Sequence, residues 1–346
     1  MSQGDECSAH KRQRTDSAHN PTLREQIAEY SIIVADTGDI KNIEKFKPTD
    51  ATTNPSLILK ACDLVEYAPL IDAAIQYAKD KKHVSNEIER LEIAMDKVAV
   101  NIGAKISANI PGYISTEVDA RLSFDTKETV RRAVQIIDMY RELGIDKSRI
   151  LIKIASTFEG IEAGKILQRD HGINCNLTLL FSLVQAAACA ESNIRLISPF
   201  VGRILDWYKA KTGKAYDDAE EDPGVISVKT IYNYYKKFGY ETIVMAASFR
   251  NINEIKALAG CDRLTISPAL LEEMEQAASG AVVGCKLEPR SASDACSYHT
   301  RIATDESNFR LQLNEDAMAT EKLAEGIRGF VADIRKLEDI IKTKLC

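Results

Sequence analysis

Ile150-Leu151-Ile152-Lys153-Ile154-Ala155-Ser156 is an apolar run with one lysine in its middle. Read as a strand, it turns Ile150, Ile152 and Ile154 to one face and Leu151, Lys153 and Ala155 to the other. Both faces are apolar apart from Lys153. That is the pattern of a parallel strand buried on both sides in an α/β protein. An ammonium among hydrophobes is costly unless it is paired. The bland reading is a lysine that carries its head out to solvent from a strand end. The other is a lysine kept inside for chemistry. The rest of the chain decides between them.

On either side of this run, strand and helix signals alternate. Strands are expected at Ser31–Ala35, Thr49–Thr53, Ile150–Ala155, Ile173–Thr178, Ile194–Ser198, Thr242–Ala247 and Arg263–Ile266. One more lies at Ile106–Ile110 or Ile114–Val118, interrupted by Pro111-Gly112. Between the strands, apolar residues at 3–4 spacing predict helices at 66–82 and 87–100, and further helices are expected at 127–143, 158–169, 181–191, 201–211, 222–238 and 252–258. A helix opens at Pro268, and a long amphipathic helix runs over 316–344 with a possible break at Gly326. Residues 279–301 are small and polar and read as a loop. Eight alternating units over about 235 residues match a (β/α)8 TIM barrel with extra helices. An open doubly wound sheet is the alternative. No G-x-G-x-x-G or P-loop follows the first strand, which lowers the odds of a nucleotide-binding fold. The expected organisation is a disordered polar tail over 1–20 and a single barrel domain over 21–346.

Composition narrows the function classes. The chain has 346 residues, 45% hydrophobic and 28% charged, with a net charge of −6. This is an ordinary globular balance and argues against a general nucleic-acid binder. No apolar run is long enough to span a membrane, and no signal-peptide segment opens the chain, so a cytoplasmic location is expected. Cys7, Cys62, Cys175, Cys189, Cys261, Cys285, Cys296 and Cys346 are scattered, without zinc spacing. They suit reduced thiols in a cytosolic protein. Lys11-Arg12-Gln13-Arg14 is a short basic cluster that allows a minor nuclear pool, against the plainer reading of a solvated tail.

In a barrel the active site forms where the strands end. Those ends supply Asp36; Thr52, Thr53 and Asn54; Glu117; Lys153; Asn176 and Thr178; Ser198 and Arg203; Ser248 and Arg250; and Ser267. Each alone has a dull explanation as a cap, a turn residue or a surface charge. Together they place a lysine, carboxylates, amides, hydroxyls and arginines in one mouth. A desolvated lysine can attack a ketone to form a Schiff base. The iminium is an electron sink for carbon–carbon cleavage, and a carboxylate can take the neighbouring hydroxyl proton. Two arginines and a serine suggest a phosphate clamp. No metal cluster is visible in the sequence, and no cofactor or metal is expected.

These residues lie in blocks that resemble the transaldolase family of the long, classical type. The blocks are VADTGD (34–39), DATTNPSLIL (50–59), ISTEVDARLS (114–123), ILIKIASTFEGI (150–161), INCNLTLLFS (173–182), LISPFVGRILDWY (196–208), EDPGVISV (221–228), VMAASFRN (244–251) and GCDRLTISPALL (260–271). The resemblance implies a barrel enzyme without a cofactor. Its members move a dihydroxyacetone unit from a ketose phosphate to an aldose phosphate in the non-oxidative pentose phosphate pathway. It implies that Lys153 forms the Schiff base and that Glu117 is the acid/base for imine steps, through a water held with Thr178. It implies that Asp36 is the acid/base at the hydroxyl of the breaking bond. Asn54, Asn176 and Ser198 would hold dihydroxyacetone hydroxyls with Thr52 beside them, and Ser248, Arg250 and Arg203 would bind phosphate. Phe200 stands where small relatives that release free dihydroxyacetone carry tyrosine, which favours transfer over a fructose-6-phosphate aldolase activity. The implied partners are sugar phosphates and a second copy in a homodimer, with neither nucleic acid nor membrane. Phe158 stands where some members have tryptophan, and the 279–301 segment departs from the family pattern. The Lys-Leu-Cys terminus lacks the usual peroxisome address.

Overall fold

The computed structural model describes residues 20–82, 84, 86–277 and 282–345. The tail up to residue 19 and its Lys11–Arg14 cluster, like Cys7 and Cys346, lie outside the described residues. Eight parallel strands close into a barrel in sequence order. They are β1 (Ile32–Asp36), β2 (Asp50–Thr52), β3 (Ile114–Glu117), β4 (Ile150–Ala155), β5 (Cys175–Leu180), β6 (Leu196–Pro199), β7 (Ile243–Ala246) and β8 (Arg263–Ile266). β8 pairs back onto β1, with Ile32 opposite Arg263 and Ala35 opposite Ile266, so no strand edge is left open.

The alternation in β4 separates two apolar compartments. Ile150, Ile152 and Ile154 belong to the main core between strands and outer helices. Leu151 belongs to a small inner cluster with Val34, Leu196 and Met245, from β1, β6 and β7. Lys153 shares the Leu151 face and sits one step closer to the C-terminal end. It therefore points into the barrel, and it is only 4% exposed.

Several elements differ from the sequence-based expectation. Ile106 is not in a strand. The helix Glu87–Ser107 continues through it, because the buried positions Leu91, Met95, Val98, Ile102 and Ile106 keep helical spacing up to the Pro111-Gly112 break. β3 is thus the Ile114 alternative. β5 starts and ends two residues later than expected, since its pairing with β4 runs from Cys175 opposite Ile152 to Thr178 opposite Ala155. The segment read as a loop over 279–301 contains a helix, Pro289–Ala295. Proline in its first turn starts it, and only Ala292 is buried in it, so no apolar periodicity announces it. Short helices at Ile40–Phe46 and Glu306–Glu315 were likewise not expected.

The C-terminal helix Ala317–Leu345 is continuous through Gly326. It lies across the C-terminal end of the barrel. Glu321 accepts a hydrogen bond from Trp207 Nε1 at 2.6 Å, Asp333 accepts one from Ser56, and Glu338 pairs with Arg121 at 2.8 Å. At Gly326 it packs tightly against the barrel. A Cβ there would stand 2.6 Å from Leu179 Cδ2 and 3.4 Å from Arg203 Nη1. The glycine lets the helix sit down on the mouth.

Candidate active site

Strand pairing assembles the polar ends. β3 and β4 set Glu117 opposite Lys153, and β4 and β5 set Lys153 opposite Asn176. On the other side of β3, β1 and β2 set Asp36 opposite Thr52. Residues distant in the chain thus face one space at the strand ends, where active sites of such barrels are built.

Lys153 Nζ lies 3.3 Å from Glu117 Oε2 and donates to the Thr53 carbonyl at 3.1 Å. Both side chains of the pair are almost wholly buried, 6% and 5% exposed. Burial pushes the Glu117 carboxyl up to about 7, against the pull of Lys153 and Arg203. A carboxyl that titrates near neutrality can serve as acid in one step and base in the next. Across the mouth, Thr52 Oγ1 donates to Asp36 Oδ1 at 2.9 Å and lies 3.0 Å from Thr265 Oγ1. Ser198 Oγ donates to Asn176 Oδ1 at 2.6 Å, and Asn176 Nδ2 donates to Ser115 Oγ at 3.2 Å. Thr178 Oγ1 is buried with no hydrogen-bond partner among the described residues. Asn54 caps the helix Pro55–Cys62, accepting from the Leu57 N–H at 3.0 Å.

The cationic end is built from β6, β7 and the helix Val201–Thr212. Arg203 stacks over the rings of Phe200 at 4.9 Å and Phe330 at 5.7 Å. Burial and the nearby Arg250 hold its guanidinium below the ordinary arginine range. Arg250 is anchored by Asp206 at 2.7 Å and by the Ser248 carbonyl at 3.1 Å, and its Nη1 reaches Ser248 Oγ at 3.3 Å. Ser248 takes a left-handed backbone conformation with φ of 63°, an uncommon one for a residue with a Cβ. Gly202 makes room behind it, since a Cβ there would stand 2.5 Å from Arg250 Cγ and 2.6 Å from the Ser248 carbonyl oxygen. Glu254 Oε2 accepts from the Arg250 N–H at 2.7 Å, which fixes the loop from below.

A cleft of ≈ 390 Å³, counting space open to solvent, is lined by Asp36, Thr52, Asn54, Lys153, Thr178, Ser198, Phe200, Arg203 and Ser248. Glu117 and Asn176 touch it through Lys153 and Ser198 rather than lining it. Arg250 stands at its rim beside Ser248. Thr53 and Ser267, also strand-end candidates, are not in the lining. Thr53 turns its hydroxyl to the Ser115 carbonyl and offers only its own carbonyl to Lys153.

The chain matches the family model described as Transaldolase/Fructose-6-phosphate aldolase over residues 33–341. It belongs to that family. A transaldolase of Kluyveromyces lactis is 60% identical over 313 residues, 90% of this chain and 92% of the relative. A transaldolase of Saccharomyces cerevisiae is 55% identical over 333 residues, covering 96% and 98%. A probable transaldolase of Drosophila melanogaster is 55% identical over 332 residues, again covering 96% and 98%.

The transaldolase/fructose-6-phosphate aldolase match reaches into the C-terminal helix, and that helix supplies what strand ends did not reveal. Phe330 lines the cleft and lies 6.0 Å from Lys153 Nζ, measured to the ring centroid. Its sequence neighbourhood shows an apolar helix face and nothing of the mouth it covers. Thr265 and Met245 also line the cleft. Alternation in β8 puts Thr265 on the Arg263 face, a signal that strand ends alone pass over.

Cys175, Cys189 and Cys261 are fully buried thiols, and burial pushes their pKa up. Among the described residues no helix is long and apolar enough to cross a membrane.

Proposed function

We propose that this chain is a transaldolase working through a Schiff base on Lys153. The neutral amine attacks the C2 carbonyl of a ketose phosphate, sedoheptulose 7-phosphate or fructose 6-phosphate. Glu117, in its acid form, protonates the carbinolamine hydroxyl, which leaves as water and gives the iminium. In this reading a water held with Thr178 carries that proton. Asp36 then takes the proton of the C4 hydroxyl, the C3–C4 bond breaks, and its electrons are stored in the iminium as an enamine. The aldose phosphate departs. Glyceraldehyde 3-phosphate or erythrose 4-phosphate takes its place, the new carbon–carbon bond forms, and Asp36 returns the proton. Glu117, now a base, activates water to hydrolyse the new iminium.

The binding roles follow the same reading. Asn54, Asn176 and Ser198 hold the dihydroxyacetone hydroxyls beside Thr52. Ser248, Arg250 and Arg203 clamp the phosphate, for which planar guanidinium forks are suited. Phe200 lines the cleft with a ring and no hydroxyl, which favours transfer over release of free dihydroxyacetone. The enzyme is placed in the non-oxidative pentose phosphate pathway, in the cytoplasm, as a homodimer and without a cofactor.

The observation that carries this reading is the buried Lys153–Glu117 pair inside a mouth that also holds Asp36. Borohydride reduction in the presence of fructose 6-phosphate, followed by mass mapping, should put the adduct on Lys153. An unmodified Lys153 would sink the proposal. Steady dihydroxyacetone release from fructose 6-phosphate alone, without an aldose acceptor, would favour a fructose-6-phosphate aldolase instead.

A further inference from the structure

Glu117 stands between two cavities. One is the mouth on its Lys153 side. The other is a chamber of ≈ 490 Å³, part of it open to solvent, lined by Glu117 itself with Asp96, Arg132, Ala99 and Leu337 among others. Asn54 lines both spaces, and Glu117 in the chamber lies 3.3 Å from Lys153 in the mouth. Asp96 and Ala99 come from the helix Glu87–Ser107, Arg132 from the helix Thr126–Glu142 and Leu337 from the C-terminal helix.

The polar pair in this chamber is incompletely satisfied. Arg132 Nη2 donates to Asp96 Oδ1 at 2.8 Å, and Arg132 Nη1 pairs with Glu92 at 2.8 Å. Asp96 Oδ2 and Arg132 Nε remain buried with no hydrogen-bond partner among the described residues. Their residues are 8% and 3% exposed. One is an acceptor and the other a donor, and the residues that carry them line the same space as Glu117. Buried polar atoms of this kind are satisfied by ordered water, which needs about two to four polar partners. Asp96, Arg132 and Glu117 supply them.

The chemistry proposed above has a matching requirement. One water leaves as each iminium forms and one enters as each iminium is hydrolysed. At both moments a sugar phosphate fills the mouth, beneath Phe330 and Arg203. We propose that the Asp96–Arg132 chamber is the route by which water reaches and leaves Glu117 while the mouth is occupied. This rests on the Schiff-base reading. It makes Asp96 and Arg132 positioning residues for water, with no bond to substrate.

The test fills the chamber without touching a polar group. Ala99→Leu does so from one side and Leu337→Trp from the other. The probe is fructose 6-phosphate labelled with oxygen-18 at its carbonyl. Imine formation and hydrolysis wash this label into water, and carbon–carbon chemistry does not. In a filled variant with wild-type melting temperature, washout should fall by roughly tenfold or more. Consumption of glyceraldehyde 3-phosphate by enzyme preloaded with dihydroxyacetone should stay within about twofold in the same variant. Wild-type washout in both folded variants would overturn the route. So would an equal loss in both steps, which would mean a distorted mouth. Absence of a borohydride adduct on Lys153 of the unaltered enzyme would instead remove the Schiff-base reading itself. An adduct with unchanged washout in the filled variants would remove only the chamber's role.

Discussion

Lys153 Nζ and Glu117 Oε2 lie 3.3 Å apart because β3 and β4 pair these two residues in register. The ladder sets the distance. It fixes the two backbones side by side, and burial of both side chains holds the head groups together. Burial raises the carboxyl to about 7, so near neutrality it exists in both the form that donates and the form that accepts.

Glu117→Gln should therefore slow imine formation by about 10²–10⁴-fold, the usual worth of a positioned acid/base. The rate of borohydride-trappable adduct formation should turn near pH 7 in the unaltered enzyme. That turn should vanish in the variant. A turn that persists unchanged would take the role from Glu117.

Arg250→Ala should raise KM for a phosphorylated ketose by about tenfold, near the lower end for a charge-assisted hydrogen bond, because its side chain is 40% exposed. Its effect on a ketose without phosphate should be small. Equal KM changes for both substrates would refute a phosphate role.

Gly326→Val should force the C-terminal helix off the mouth, since its first side-chain atom would meet Leu179 Cδ2 at 2.6 Å and Leu179 is fully buried. Overpacking of this kind costs about 1–3 kcal/mol. Activity should fall with it, as Phe330 rides on the same helix. Gly329→Ala is the control. Its Cβ would meet nothing within 4 Å, and stability should hold or rise slightly. Chemical denaturation and kcat/KM of the two variants check the contrast.

Glu254 makes stability depend on pH. Its carboxyl is raised from an ordinary value of 4.5 to about 7, first by burial and then by Asp222, to which it hydrogen-bonds. The folded state holds this proton more tightly than the unfolded chain. The stability it contributes is complete below pH 4.5 and is lost as pH rises through about 7. Glu254→Gln should therefore flatten the fall in denaturation midpoint between pH 5.5 and 8, roughly in step with the linkage relation. Identical midpoint-against-pH curves for the two proteins would contradict the assignment. Because Glu254 Oε2 accepts from the Arg250 N–H, KM for the phosphate ester should rise modestly as well.

Much of the site was legible from strand patterning. Asp36, Thr52, Lys153, Thr178, Ser198, Arg203 and Ser248 stand at or just after the strand ends of the sequence pattern, and they meet in one cleft. Strands buried on both faces announce themselves by apolar runs, and polar residues at their ends then stand out. β3 was harder to place. Ile106 is apolar in either reading, and only the continuation of helical packing from Val98 through Ile102 separates helix from strand. The helix Pro289–Ala295 buries a single residue, so no hydrophobic period marked it. Phe330 was invisible for a different reason. An amphipathic helix declares that it has a buried face, and its sequence does not say which surface that face covers.

The sequence by itself determined the alternating strand–helix units of a parallel sheet, the shared face of Leu151 and Lys153 and the chemical inventory at the strand ends. Each is a local consequence of side-chain alternation and of apolar period. Tertiary structure alone decided that Glu117 touches Lys153, that the C-terminal helix lies across the mouth, and that a second chamber opens behind the carboxyl. Those facts depend on strand register, barrel closure and the seat of Gly326 on Leu179. They are distances between residues far apart in the chain, and close packing of the whole molecule sets them.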